Sequence, residues 1–307
     1  MTDPIVVFGA NGFVGRHLVN RMASNGERVI ALVGSAEPYS IPNVEIVAGS
    51  FDTPGAFLSS LTKARAVIHV ASRSTPGRTA GKPMAELDEN LVPTLALLEA
   101  LQDTPQCELL YVSSGGAMYG DTGMNTTHEQ DLIRPKSYYG AGKAAAEHFI
   151  HAYAAQYDRA ATILRPSNLY GPGQSMRNGF GIIPTAFHRI QSGEALDIWG
   201  NGSAVRDYLF IDDFIALCLQ VLSSPMPKGV QLFNAARGEG VSLNTLIGMI
   251  QDVTGQQLET RYDISRSVDV AKIVLNSDKA RNQFDWAPHV SLSEGISLTW
   301  QWWRQNV

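Results

Sequence analysis

Short, uninterrupted apolar runs alternate with helical stretches through the first half of the chain. The runs are Ile5–Phe8, Val29–Val33, Val44–Val47, Ala66–Val70, Leu109–Ser113 and Ala161–Leu164. Because polar residues do not alternate with apolar ones inside them, both faces of each strand are predicted to be buried, as in a parallel sheet covered by helices. Helices are predicted at Gly12–Asn25, Met84–Leu101 and from Tyr139 to about Tyr157. This alternation predicts an α/β fold with a doubly wound parallel sheet.

After Arg165, prolines and glycines break this rhythm and the predicted elements become shorter. They are helices at Ile183–Ser192, Asp212–Leu222, Ser242–Val253 and Ser291–Trp300, and a strand at Val205–Phe210. We interpret this half as a smaller mixed α/β domain that covers a substrate, with the chain returning to the sheet around Tyr208–Asn234. Residues 1–166 and about 207–236 are then predicted to form one domain, and residues 167–206 and about 237–307 the other.

A glycine-rich loop joins the first predicted strand to the first predicted helix. Gly9, Gly12 and Gly15 follow the spacing Gly-x-x-Gly-x-x-Gly. Between a strand and a helix, the first glycine permits a tight turn, the second lets the backbone approach a pyrophosphate, and the third lets the helix lie close to the strand. The amides and dipole of the helix N-terminus favour an anion. The loop therefore predicts a Rossmann-type dinucleotide site in the first domain.

The residues at the end of the second strand bear on whether the dinucleotide is NAD or NADP. An acid about 20 residues beyond the glycine loop usually reads the ribose of NAD. Here Val33 is followed by Gly34 and Ser35, without a carboxylate. NADP is therefore permitted, but no obvious arginine replaces the acid, so the choice stays open. Arg73 and Arg78, in a loop after the fourth strand, are either solvated or close to the cofactor or substrate.

Tyr139 and Lys143 stand four residues apart at the start of an Ala-rich helical run. That spacing places both side chains on one face of a helix. A tyrosine is a poor base at neutral pH because its ordinary pKa is about 10. A fixed ammonium nearby favours the phenolate and lowers that pKa, so we expect Tyr139 to exchange a proton with a substrate hydroxyl.

Composition and charge narrow the classes of function. Hydrophobic residues make up 44% and charged residues 17% of the 307 positions, as in a globular protein with a full core. The net charge of −5 is dispersed, which argues against nucleic-acid binding. No apolar run approaches the roughly 20 residues of a membrane helix. We expect no cleaved signal peptide, reduced thiols at Cys107 and Cys218 in a cytoplasmic protein, and no metal site, because the 7 histidines are scattered.

The chain resembles the extended short-chain dehydrogenase/reductase family, in the branch of nucleotide-sugar epimerases, dehydratases and reductases. Beyond the glycine loop, Tyr139 and Lys143, the matching segments are Val67–Ala71, Asn90, Leu97–Ala100, Ser113-Ser114, Tyr119-Gly120, Leu164–Pro166, Asn168–Gly173, Arg206–Tyr208, Asp212-Asp213, Arg266–Val270 and Phe284–Pro288. The matches occur in order along nearly the whole chain, so the second domain is expected to bind a nucleotide-diphosphate sugar.

The resemblance implies roles for individual residues. Tyr139 would be the catalytic acid/base, Lys143 would hold the nicotinamide ribose, and Ser114 or Ser113 would bind the sugar oxygen at the reacting carbon. Asn168 and Arg206 would bind the substrate diphosphate, and Arg266 and Asp269 its nucleoside. Contacts to the cofactor are implied for Gly9, Asn11, Gly12, Phe13, Val14, Gly15, Val33, Ser50, Phe51, Val70, Ala71, Ser72, Asn90, Tyr139, Lys143 and Pro166.

The sequence departs from the family pattern at three places. The family's catalytic Ser or Thr usually lies four residues before the Tyr119 position, where this chain has Gly115. We expect Ser114 to replace it. The run Gly115–Ala117 lacks the acids of the 4,6-dehydratases, so dehydration is not expected. The acid expected to contact adenine is replaced by Ser50, and Phe51 is predicted to stack on adenine instead.

The leading hypothesis is a 4-epimerase of the UDP-glucose or UDP-N-acetylglucosamine type, which holds NAD and forms a transient 4-keto sugar; NADP is not excluded. One alternative is an NADPH-dependent reductase of nucleotide-diphospho-4-keto-6-deoxysugars, which needs the same tyrosine and lysine. Another is a non-catalytic dinucleotide-binding sensor, which Gly115 keeps open. The resemblance also implies a homodimer formed through Met84–Leu101 and the helix that begins near Tyr139.

Overall fold

The computed structural model describes residues 3–35, 41–75, 77–121, 123, 126–176, 181–265 and 269–307. In chain order the elements are β1 Ile5–Phe8, α1 Phe13–Ser24, β2 Val29–Val33, β3 Val44–Ala48, α2 Gly55–Leu61, β4 Ala66–His69, α3 Pro83–Glu86, a π-helical turn Leu87–Leu91, α4 Val92–Gln102, β5 Glu108–Val112, α5 Gly115–Met118, α6 Tyr138–Tyr157, β6 Ala160–Pro166 and β7 Asn168–Tyr170. They continue with α7 Ile182–Ser192, β8 Leu196–Trp199, β9 Val205–Phe210, α8 Ile211–Ser223, β10 Gly229–Ala235, β11 Gly240–Ser242, α9 Leu243–Thr254, β12 Thr260–Asp263, β13 Lys272–Ile273, α10 Asp278–Phe284 and α11 Leu292–Asn306.

Seven parallel strands form the central sheet, in the order β10-β6-β5-β4-β1-β2-β3. Side chains of β1 alternate between two cores: Ile5 and Val7 join the cluster that includes Leu18 of α1, whereas Val6 and Phe8 join the opposite cluster. Both faces of the sheet are thus covered, which is why its strands are apolar throughout. The predicted doubly wound sheet is confirmed, including the return of the chain at β10.

The second half of the chain forms two smaller sheets. Strand β9 lies at the centre of the first, pairing with β7, β11 and β13, and β8 pairs with β12 in the second. The predicted strand at Val205–Phe210 therefore joins a small sheet and not the central one. The hydroxyl of Ser242 caps α9 by accepting from the amide of Thr245, and Ser291 caps α11 in the same way.

The sheet order sets the position of the site. Connections on the two sides of β1 run in opposite directions, because β2 lies on one side of it and β4 on the other. Ligands of open α/β sheets bind at such a point, outside the carboxyl ends of the strands. The loops after β1, β4 and β5 meet there.

Candidate active site

Helix α6 carries the predicted acid/base pair. Its N-terminus is capped by Ser137, whose hydroxyl accepts from the amide of Gly140 at 3.1 Å. Lys143 is buried, donates to the carbonyl of Val112 at 3.1 Å, and lies 4.9 Å above the ring of Tyr111. Burial lowers the pKa of Lys143 to about 8, although two nearby carboxylates, Glu86 of α3 and Glu147 of α6, act in the opposite direction. These negative charges thus stabilise the ammonium form of Lys143 against the cost of its burial.

The pKa of Tyr139 does not follow the expectation from sequence. Burial first, and then the carboxylate of Glu86, raise it to about 12. Hydrogen bonding by the side chains of Ser114 and Ser72 acts in the opposite direction, and Lys143 is not among the groups that shift it. The expectation that Lys143 brings the phenol toward neutrality is therefore wrong for this structure, because desolvation is the largest cause and sets the direction of the pKa shift.

The two adjacent serines after β5 face different surroundings. The hydroxyl of Ser113 is buried and donates to the sulfur of Met118 at 3.1 Å. Ser114 directly precedes α5 and has an extended backbone conformation. Its side chain hydrogen-bonds to the phenol of Tyr139. The structure thus places Ser114, and not Ser113, beside the tyrosine.

Gly115 has a packing reason for its lack of a side chain. A Cβ there would lie 2.4 Å from Cδ1 of Leu275 and 3.1 Å from the carbonyl oxygen of Arg165. Leu275 is fully buried. A serine or threonine at this position would therefore collide with the buried side chain of Leu275.

A buried carboxylate that the sequence analysis did not single out lies next to α6. Oε2 of Glu86 accepts from the hydroxyl of Ser74 at 2.5 Å, and Oε1 accepts from Nδ2 of Asn90 at 2.8 Å. Oδ1 of Asn90, predicted to contact the cofactor, accepts from the backbone amide of Arg73 at 3.1 Å. The only signal in the sequence was a glutamate one turn before Asn90, which is ordinary on a helix surface.

The glycine loop has the shape that a dinucleotide pyrophosphate requires. A Cβ on Gly9 would lie 2.6 Å from the backbone of Ala71, and a Cβ on Gly15 would lie 2.2 Å from the carbonyl oxygen of Gly9. No side chain caps the N-terminus of α1 at Gly12, and its first turn carries no acid. The uncapped amides of Phe13 and its neighbours thus remain for an anion, which fits NAD.

Other predicted cofactor residues are placed with mixed results. Val33 ends β2, Val70 and Ala71 follow β4, and Pro166 ends β6, all at the same edge of the sheet. Asn11 and Val14 lie in the glycine loop and the first turn of α1. Phe51 is buried between Phe8 and Phe57, with ring centroids 5.4 and 5.2 Å away, so the prediction that it stacks on adenine is wrong. Ser50 is exposed and hydrogen-bonds to Asp52.

Residues predicted to bind substrate gather around β9. Nδ2 of Asn168 donates to the carbonyl of Asp207 at 2.9 Å, and Nη1 of Arg206 donates to the carbonyl of Val205 at 2.9 Å. Burial lowers the pKa of Arg206, while Tyr208, Asp269 and Asp121 raise it, in that order. Arg206 and Asp269 are therefore electrostatic neighbours. Arg266 lies outside the described residues.

Metal sites and membrane-spanning helices are both absent from the described residues. Within the ranges given above, no group of His, Cys, Asp and Glu side chains could hold a metal ion. None of the helices in the same ranges is both long and apolar enough to pass through a lipid bilayer.

Comparison with known proteins adds to this geometry. Residues 5–236 match the NAD dependent epimerase/dehydratase family. A UDP-glucose 4-epimerase of Mycolicibacterium smegmatis is 30% identical over 310 residues, which cover 98% of each chain. A dTDP-4-dehydro-6-deoxy-D-allose reductase of a Streptomyces species is 27% identical over 317 residues, which cover 98% of this chain and 96% of the reductase.

A solved structure shares the whole architecture. The crystal structure of a UDP-glucose 4-epimerase with UDP-glucose, from Thermotoga maritima, superposes with a TM-score of 0.91 at 30% identity. The match covers 98% of this chain and 99% of that one. The small sheets are therefore shared along with the central sheet.

Proposed function

Because this chain belongs to the NAD-dependent epimerase/dehydratase family, we propose that it is a nucleotide-sugar 4-epimerase acting on a UDP-hexose such as UDP-glucose. Inversion at C4 through a 4-keto sugar needs a group that takes and returns the proton of the 4-hydroxyl. The observation that carries the proposal is the meeting of Tyr139 with Ser114 and Ser72, with Lys143 one turn along the same helix.

In the proposed reaction, Ser114 holds the C4 oxygen and Tyr139 exchanges a proton with it. Lys143 holds the nicotinamide ribose, and its bond to the Val112 carbonyl keeps the ammonium at that place. When bound, NAD supplies a reversible hydride acceptor and a positive ring charge that favours the phenolate. A phenol with a pKa of about 12 keeps its proton at neutral pH, so Tyr139 is ready to donate to a keto oxygen.

On the substrate side, we propose that Arg206 and Asn168 bind the diphosphate and that Asp269 contacts the nucleoside, together with Arg266. A guanidinium matches a diphosphate through parallel hydrogen bonds. The lowered pKa of Arg206, caused first by burial, supports this role, because a buried cation gains from an anionic ligand.

The proposal is tested by the interconversion of UDP-glucose and UDP-galactose on purified protein without added cofactor. Tyr139→Phe should lower turnover by roughly 10²-fold or more, the usual scale of acid/base catalysis. Ser114→Ala should also lose most of its activity, whereas Ser113→Ala, whose hydroxyl faces Met118, is the matched control and should keep it. Full activity of Tyr139→Phe, or no turnover of any UDP-, GDP- or dTDP-hexose, would refute the proposal.

A second candidate is a reductase of nucleotide-diphospho-4-keto sugars. Two observations favour it: the absence of an acid at Gly34 and Ser35 after β2, and the Tyr139 phenol, which is held in its proton-donating form. Stoichiometric oxidation of NADPH by a 4-keto-6-deoxysugar nucleotide, with no interconversion of UDP-hexoses, would place this function first. Nucleotide released from the denatured protein gives a second readout, since an epimerase retains its NAD.

We also propose a homodimer formed through α4 and α6, in a cytoplasmic protein. Phe149 and Tyr157 on α6 are 47% and 38% exposed, and Leu87 on the π-helical turn is 37% exposed. Large apolar side chains on neighbouring helices favour burial against a second copy. Light scattering of the wild type should give twice the 33.3 kDa mass of one chain, whereas Phe149→Glu should give the mass of a single chain. The buried free thiols of Cys107 and Cys218 fit a reducing compartment.

A further inference from the structure

An ion pair joins two segments that lie beside the catalytic side chains in the chain. The ammonium of Lys136 pairs with Oδ2 of Asp121. Asp121 lies shortly after α5, the helix that Ser114 directly precedes, and Lys136 lies shortly before α6, which begins at Tyr138. Neither member of this pair has a role in the proposed reaction.

Both members of the pair also hold the backbone of a segment from the second half of the chain. Oδ1 of Asp121 accepts from the amide of Ala271 at 2.7 Å, and Nζ of Lys136 donates to the carbonyl of Asp269 at 3.4 Å. These partners are 150 and 133 positions apart in the sequence. One charged pair thus binds two backbone groups of segment 269–271, which includes the aspartate proposed to contact the nucleoside.

The segment held by the pair leads directly into the small sheet that carries Arg206. The carbonyl of Ala271 accepts from the amide of Val205 at 2.9 Å, and the next residues form β13, which pairs with Val205 and Arg206 of β9. Ala271 is therefore bound on both sides, by Asp121 through its N–H and by β9 through its carbonyl. The position of Arg206 is thus linked to that of Asp121 through one residue.

The exposure of the pair indicates that it matters more for binding than for folding. The side chains of Lys136 and Asp121 are 35% and 38% exposed, and ion pairs this exposed contribute little to the free energy of unfolding. Hydrogen bonding by Lys136 is the largest cause that lowers the pKa of Asp121, and the charge of Arg206 is a smaller one. Asp121 therefore stays a carboxylate near both Lys136 and the guanidinium proposed to bind the diphosphate.

We propose that Asp121 and Lys136 are positioning residues that preorganise segment 269–271, and with it Arg206, for the nucleotide half of the substrate. The inference rests on the proposed function, because it concerns a substrate with a nucleotide end and a sugar end. Without the pair, the segment becomes ordered only when the nucleotide binds, and this ordering weakens affinity. The loss is the same in the ground state and the transition state, so it raises KM and leaves kcat unchanged.

The test measures KM and kcat for UDP-glucose and, by calorimetry on the NAD-loaded protein, the affinity for UDP, which has no sugar. Lys136→Ala and Asp121→Ala should each raise KM and weaken UDP binding by about 10-fold, the scale of one hydrogen bond to a charged group, with kcat little changed. Lys136→Arg keeps the charge and should restore most of the affinity. Lys228→Ala, which removes an exposed lysine paired with Asp158, is the matched control and should change nothing.

Three results would overturn the inference while leaving the epimerase proposal intact, each with a wild type that interconverts UDP-hexoses. One is wild-type affinity for UDP in both alanine variants. The second is a lower kcat at unchanged UDP affinity, which would place the pair at the catalytic end of the site. The third is a loss of stability in urea that accounts for the weaker binding. Failure of the wild type to bind UDP or turn over any UDP-hexose would refute the proposed function together with this inference.

Discussion

The carboxylate of Glu86 lies against the backbone of Gly142, on the helix turn between Tyr139 and Lys143. A Cβ on Gly142 would lie 2.5 Å from Oε1 of Glu86 and 2.8 Å from its Cγ. The missing side chain at position 142 is thus what lets a buried carboxylate, bonded to Asn90, approach the helix that carries the acid/base pair.

Gly142→Ala should destabilise the protein and reduce its turnover. The added methyl must displace a carboxylate held by Ser74 and Asn90. Overpacking of this kind costs about 1–3 kcal/mol, more than the roughly 1 kcal/mol that Gly-to-Ala replacement gains inside a helix. Denaturant unfolding measures the difference. Gly248→Ala in α9 is the matched control, because nothing lies within 4 Å of its Cβ position; equal stability of the two variants would contradict the prediction.

Glu86→Gln should move the pH profile of kcat/KM toward lower pH. The groups that face this carboxylate are Tyr139 and Lys143 on α6 and Tyr111 on β5, and its charge raises the pKa of each. Removing the charge lowers these pKa values, so the phenolate forms at lower pH and the Lys143 ammonium is also lost at lower pH.

The control for this profile is Glu89→Gln, which removes a charge from the π-helical turn that directly follows Glu86, but from a residue paired with Arg78. Its pH profile should match that of the wild type. If Glu86→Gln lowers turnover but leaves the apparent pKa values of the kcat/KM profile unchanged, Glu86 has a structural role only.

Gly115→Ser should destabilise the fold by about 1–3 kcal/mol, as expected of an added side chain in a filled core. The new Cβ would lie 2.4 Å from Cδ1 of Leu275. Leu275→Ala alone should also be destabilising because it leaves a cavity. In the double variant the serine fills part of that cavity. The loss of stability in the double variant should therefore be smaller than the sum of the losses in the two single variants. Simple additivity would argue against the contact.

Because of Asp207, the free energy of unfolding should decrease as the pH rises from about 4 to 6. Burial raises its pKa to about 6 from the ordinary 3.8, even though backbone amides of Gly238, Leu275 and Arg237 and the hydroxyl of Ser167 act in the opposite direction. The folded protein holds this proton more tightly than the unfolded chain. The resulting stabilisation is fully present below about pH 4 and is lost as the pH rises through about 6. The two-unit difference corresponds to about 3 kcal/mol.

Urea unfolding of wild type and Asp207→Asn from pH 4 to 7 measures this contribution. The variant should be less stable throughout, because an amide cannot accept all the hydrogen bonds, and its deficit relative to wild type should shrink as the pH rises from 4 to 6. Asp212→Asn should run parallel to wild type above about pH 5, since hydrogen bonding to His17 lowers the pKa of Asp212 and its contribution is lost only as the pH falls through and below the ordinary 3.8. Parallel curves for wild type and Asp207→Asn would contradict the prediction.

Local signals in the sequence determined the fold class, the glycine loop and the helix that carries Tyr139 and Lys143. The strands are readable because a parallel sheet covered on both faces admits only apolar residues, as β1 shows with Val6 and Val7 in opposite cores. The family resemblance noted from these motifs is confirmed by the match over residues 5–236.

Tertiary structure decided what depends on neighbours distant in the chain. It separated Ser114 from Ser113, put Phe51 into the core, and explained Gly115 through Leu275, 160 positions later. It also raised the pKa of Tyr139 through burial and brought Arg73 to Gly34. Periodicity reports which face of an element is buried, whereas a pKa or a steric limit depends on which atoms fill the space around a group, and only the folded chain fixes those.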